Sequence, residues 1–228
     1  SLDGRRIETR LIERVGQGPR DFAFVSYQWN EEQTEATKVS AEGVVNASGT
    51  MHDIPSKLNC LRCHGTYPLG GGRPSRMLGF SAIQLSHDDT AVHVDDLSEQ
   101  LSHPLDEPYA IPGDPIEQAA LGYLHANCGN CHHDGEDRVP QVNLSLWLDV
   151  DARTVEETGA WKTAVAHSNV LFNDQHVVAR IAPGSPEESS IVYRMKQRGN
   201  TAQMPPVASE FPDEEGIAVV ERWIRGLQ

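Results

Sequence analysis

No apolar run in the 228-residue sequence approaches the ~20 residues that a helix needs to cross a bilayer. Basic residues are scarce: 19 Lys and Arg stand against 33 Asp and Glu, a formal net charge of -14. That balance argues against nucleic-acid binding, which needs clustered cations to meet phosphates. No charged segment followed by an apolar stretch opens the chain, so no export leader is visible; a mature exported chain would begin in the same way. Disorder is excluded by bulk composition, with 38% hydrophobic and 23% charged residues. The length suits one large domain or two small ones, each with a core.

Cysteine is rare too, but its placement is informative. The four cysteines fall in two C-x-x-C pairs, "CLRCH" (Cys60, Cys63, His64) and "CGNCH" (Cys128, Cys131, His132), each followed at once by histidine. This is the attachment signature of a c-type haem. Thiols three positions apart share one side of a helical turn. They can add to the two vinyl groups of one haem, and the next histidine then offers its imidazole to the iron as proximal ligand.

Three other chemistries fit less well. A disulfide within either short C-x-x-C loop would staple no distant elements. A four-cysteine zinc site usually separates its pairs by ~15–20 residues, far fewer than lie between Cys63 and Cys128, and gives no reason for the two histidines. A thioredoxin-like dithiol needs a βαβ context that the flanks lack. The sequence therefore implies two covalently bound c-type haems.

Residues 1–50 read as β. "RRIETRLIERV", "DFAFVSYQWN" and "ATKVSAEGVVNA" carry alternating, aromatic or β-branched patterns, with "GQGP" as the first turn. Residues 51–112 are expected to hold the first haem, with "LGFSAIQLS" lining it, "VDDLSEQLSH" as a short helix and the proline-rich "HPLDEPYAIPGDP" as a linker. Residues 113–228 are expected to hold the second. Asp114, Pro115 and Glu117 mark a helix start that runs towards "NCGNCH". "NLSLWLDV" and "HVVARI" read as strands of an extra hairpin. Ser185, Pro186 and Glu188 mark another helix start, with Met195 as packing and Gly199 as the stop. The last helix carries Ile217, Val220, Ile224 and Leu227 as one stripe, with Trp223 beside it.

The order of helix, "CGNCH", "PGSPEESSIVYRM", "MPP" and a terminal helix with "ERWI" resembles a class I cytochrome c domain over roughly residues 113–228. With "YQWNEEQTEA" and "YLHANCGNCH" in matching order, the whole chain resembles a proteobacterial family of exported dihaem c-type cytochromes. The long 141–182 insertion departs from the smaller pattern. The resemblance implies a mainly α fold: two cytochrome c-like haem domains in tandem, with a small N-terminal antiparallel β-sheet and a β excursion in the second domain. It also implies a periplasmic or otherwise exported carrier that passes single electrons between redox protein partners. It assigns Met204 to the distal side of the second iron, and Pro205 favours the extended backbone such a loop residue needs.

The first iron has no matching methionine. Met77, His93, His87, His103, Met51 and His52 are all candidates, with His93 or Met77 preferred by position. His133 is expected to be exposed or near a haem propionate. Two alternatives stay open: a dihaem peroxidase-type enzyme with an open distal site on the first haem, and an electron-relay module of a larger dehydrogenase complex.

Overall fold

The computed structural model describes residues 4–18, 21–65, 77–86, 92–100, 109–134, 142–168, 176–207 and 209–228. The chain divides into two compact units. The first comprises Ser1–Met77 with Gln197–Pro212, the second Leu78–Lys196 with Asp213–Gln228.

In the first unit, alternation and β-branched residues build a three-stranded antiparallel sheet. Strand β1 (Glu8–Arg14) pairs with β2 (Phe22–Trp29), which pairs with the three-residue β3 (Ala36–Lys38). Leu11 faces Val25 and Tyr27 faces Lys38. A small core of Ile7, Ala47 and Ile54 lies beyond the sheet, with Val39 and Val44 against it. Gly43 has φ +79, and a Cβ there would come within 2.3 Å of the Ile54 carbonyl, so the Val44–Ile54 bridge requires glycine. The chain then enters α1 (Lys57–His64), capped by Ser56, whose hydroxyl accepts from Asn59 N at 3.2 Å.

The second unit is built on α2 (Pro115–Leu124) and α5 (Glu214–Gly226), which pack against each other. The Asp114–Glu117 capping box is formed as the sequence anticipates. Leu121, Leu124, Val220, Trp223 and Ile224 are buried at the centre of its core. Tyr123 lies over Gly216, where a Cβ would fall 2.1 Å from its ring, and its hydroxyl donates to Asp213, the cap of α5. Two short helices complete the unit, α3 (Gly159–Ala164) and α4 (Ser190–Lys196), the latter following a 3₁₀ turn at Pro186–Glu188. Met195 is buried in the core.

Among the described residues the fold is thus mixed α/β, with a three-stranded antiparallel sheet and five α-helices, rather than mainly α. The expected β excursion is absent among the described residues. Among the described residues, 142–149 form no regular strand, and 165–168 and 176–189 make isolated bridges, such as Val165–Ile181 and Ala179–Ser189. The 78–86 stretch, expected beside the first haem, lies in the second unit, where Ile83 joins its core. Most of the Gly- and Pro-rich stretch "GTYPLGGGRPSR" that follows His64 lies outside the described residues. No described helix is long and apolar enough to cross a membrane.

Candidate haem-attachment sites

None of the four cysteines is in a disulfide, as thioether formation requires. In the first unit, α1 carries Cys60, Cys63 and His64 alongside β1 and β2. The His64 ring packs against Phe24 of β2, with centroids 5.7 Å apart and planes tilted by 48°. A cavity of about 70 Å³ lies there, bordered by Ile12, Phe24, Cys60, Cys63, His64 and Val207. Burial raises the Cys60 thiol pKa; Arg10 opposes this and Glu8 adds to it. Arg10 and Glu8 form an ion pair, and Glu8 Oε1 also meets His52 Nε2 at 2.9 Å. His52 Nδ1 lies 3.7 Å from Glu210. His52 is therefore committed to carboxylates rather than presented to a metal.

In the second unit, α2 passes into a single π turn, His125–Gly129, which delivers the second motif. π turns are rare and often mark functional sites. The backbone N–H groups of Cys131 and His132 both donate to the Cys128 carbonyl, at 3.0 and 2.9 Å. The 142–149 segment is bonded to the motif at two points, one in the π turn and one just after it. Leu146 N donates to the His132 carbonyl at 2.7 Å, and Leu148 N donates to His125 Nδ1 at 3.0 Å. Gly129 permits that approach: a Cβ there would sit 3.0 Å from Trp147 Cα and 3.1 Å from the Leu146 carbonyl oxygen.

Because His125 Nδ1 accepts, its Nε2 carries the proton and donates to Ser81 Oγ at 2.9 Å. This buried histidine is neutral, with its pKa lowered by desolvation to about 4. Its ring lies 4.3 Å from that of Trp147.

Burial pushes the Cys128 thiol up to about 12, with the neighbouring Cys131 adding to the effect. Reactive dithiols have lowered pKa values, so this pair is not poised for disulfide exchange. Burial also lowers His132 to about 4, aided by Arg194, His133 and Arg180, so the imidazole is neutral and its lone pair is available. Its Nδ1 is buried with no hydrogen-bond partner among the described residues. Two reduced thiols and a neutral, incompletely partnered imidazole are the donor set that a c-type haem uses, and the residues fit the group. Among the described residues, no three His, Cys, Asp or Glu side chains converge as a metal-binding group.

The remaining expectations are placed as follows. Met204 is half-buried in the Gln197–Pro212 segment of the first unit. That loop is held by its own bonds, including Gly199 N to Gln203 Oε1 and Gln203 Nε2 to the Ser209 carbonyl. With Asp53, Pro55 and Asn59 it borders a cleft of about 480 Å³, and Val207 borders both this cleft and the cavity at His64. Met77 is exposed at 44% and belongs to the first unit. His93 belongs to the second, where its Nδ1 accepts from Asp95 N and lies 3.3 Å from the Asp95 carboxylate. His87 and His103 lie outside the described residues. His133 is buried rather than exposed. Sequence reasoning missed His125, Arg180, Arg194 and the Glu8–Arg10 pair, since nothing in their spacing sets them apart.

No family model matches the chain, and no curated protein or solved structure is similar to it.

Proposed function

We propose that the chain is a dihaem c-type cytochrome that transfers single electrons between redox partners outside the cytoplasm. The observation that carries this reading is the second motif: Cys128 in the π turn with Cys131 and the neutral imidazole of His132 directly after it, neither thiol in a disulfide, and the same C-x-x-C-H pattern carried by α1. Cys60 and Cys63 would anchor one haem and Cys128 and Cys131 the other, with His64 and His132 as proximal ligands. The haems supply the electron-accepting iron; the chain anchors them, excludes water with its two cores and sets the surrounding charge. An acidic, water-compatible surface suits a carrier that meets protein partners by diffusion.

The resemblance assigns Met204 to the iron at His132. Its place in the first unit favours a second reading, as the ligand opposite His64. One series of measurements tests both points. Pyridine-haemochrome spectra and intact mass of the exported protein should count two haems; none would sink the proposal. In a Cys60→Ser/Cys63→Ser variant, a methionine-to-iron near-infrared band should persist if Met204 serves His132 and vanish if it serves His64.

A further inference from the structure

Strand β1 lies at an edge of its sheet, and no described strand pairs with its outer side. The ladder with β2 fixes which backbone groups are left over. Trp29 N donates to the Ile7 carbonyl at 3.0 Å and Val15 N to the Asp21 carbonyl at 2.8 Å, with an unbroken register between them. Backbone groups of an antiparallel strand alternate in direction, so the odd-numbered residues turn theirs to β2. Glu8, Arg10, Ile12 and Arg14 turn theirs outward, and none of these backbone groups is hydrogen-bonded among the described residues. Seven residues without proline, glycine or bulge are a template for a further strand.

Edge strands are usually blunted by charge. In β1 the order of the charges works the other way. Laid antiparallel against itself about Leu11, the strand sets Glu8 opposite Arg14, Thr9 opposite Glu13, Arg10 opposite Ile12 and Leu11 opposite Leu11. Opposite charges meet at both ends and like charges nowhere. Moving the centre one residue either way brings Arg10 against Arg10, or Arg10 against Arg14. The Leu11-centred register also pairs outward residues with outward residues along the whole strand, so Glu8–Arg14 and Arg10–Ile12, each twice, exchange backbone bonds. Glu8 holds Arg10 and His52 through Oε1, while its Oε2 has no hydrogen bond among the described residues; Arg14 of a second copy brings a cation opposite it. Leu11 is 43% exposed and its cross-strand neighbour Val25 is half-buried, so a second Leu11 covers both.

We infer that β1 is a self-association edge: a second copy of this chain adds its own β1 antiparallel about Leu11, joining two three-stranded sheets into one of six strands. The contact is isologous and closed, as a two-fold dimer requires. Both copies keep α1 on the same sheet face, where His64 packs on Phe24 of β2. The two β2 strands are then three strand spacings apart, ~14 Å, which leaves room for helices ~10–12 Å wide. A seam of one strand pair buries less than the ~1,200 Å² of a standard interface, so the dimer is weak and forms with rising concentration. The inference goes beyond the dihaem reading and does not depend on it.

The test is sedimentation equilibrium of the holoprotein over a wide concentration range, where the mass should rise reversibly from monomer to dimer. Ile12→Pro removes one outward N–H and no bond to β2, as an edge strand tolerates, and should weaken the dimer about tenfold or more. Arg14→Glu sets like charges opposite each other and should also weaken it, whereas Arg14→Lys should keep most of the affinity. Leu11→Cys places two thiols at a non-hydrogen-bonded pair, ~4.5 Å between Cα atoms, within reach of a disulfide. Mild oxidation should cross-link two copies through the substituted position. Glu13→Cys, exposed on the same face, should cross-link about tenfold more slowly, and the parent with its own four cysteines is the control. A monomer at every concentration overturns the proposal. So does a dimer that Ile12→Pro and Arg14→Glu leave unchanged, equal cross-linking by the two cysteine variants, or cross-linking of Leu11→Cys in cells to a different protein instead of a second copy. If Ile12→Pro does not fold, Arg14→Glu and the cysteine variants carry the test.

Discussion

A proton on His125 Nδ1 would eject the Leu148 N–H that now points at it. Keeping this ring neutral therefore couples acidity to the 142–149 segment beside the second motif. The folded pKa of about 4 lies below the ordinary 6.5, so the unfolded chain binds more protons between those values. The stabilisation is fully present above pH 6.5 and is lost as pH falls through 4. The shift corresponds to about 3 kcal/mol. His125→Gln keeps an acceptor for Leu148 and a donor for Ser81 but cannot titrate. Urea melts at pH 7 and pH 4.5 should show a smaller loss of stability on acidification in H125Q than in the parent. Equal losses would refute the latch. The sequence concealed this residue because its role depends on Ser81 and Leu148, both far away along the chain. Cys60, Cys63, His64, Cys128, Cys131 and His132 were legible because their chemistry is local.

Elements show the same division between local and distant causes. The start of α2 was readable residue by residue, since capping is a matter of neighbours. So was the buried stripe of α5, where Ile217, Val220, Trp223 and Ile224 turn inward, with Leu227 buried just past its end. The supposed hairpin failed for a physical reason. "NLSLWLDV" alternates like a strand, but its backbone bonds go to His132 and to His125 beside the second C-x-x-C-H motif rather than to a ladder. Alternation reports burial of one face, not the partner that covers it. Gly129 is where that partner presses closest. Gly129→Ala should force the segment outward by a few tenths of an ångström and cost about 1–3 kcal/mol. An alanine at the exposed, unencumbered Gly226 is the control, and chemical denaturation of both variants reads the difference.

At the scale of the whole molecule, the two compact units interleave along the chain. The first unit takes back Gln197–Pro212 from between α4 and α5, and the second claims residues from Leu78 onward. Such connectivity is invisible to periodicity, which registers elements but not which core receives them. It makes the two units unequal in what they owe each other. If the first unit unfolds, the second retains α4 and α5 joined by the short 197–212 loop, whose closure costs little. If the second unfolds, the two pieces of the first are joined only by the long unfolded 78–196 stretch, and closing that loop costs more. Trp223→Ala, which opens the second core by about 3–5 kcal/mol, should therefore also raise amide exchange in 197–212. Ile54→Ala in the first core should raise exchange around Val44 and α1 while leaving α2 and α5 as protected as before. Hydrogen exchange read by mass spectrometry distinguishes the cases. Symmetric propagation, or none from Trp223→Ala, would mean that the 197–212 segment does not depend on its two anchors in the second unit.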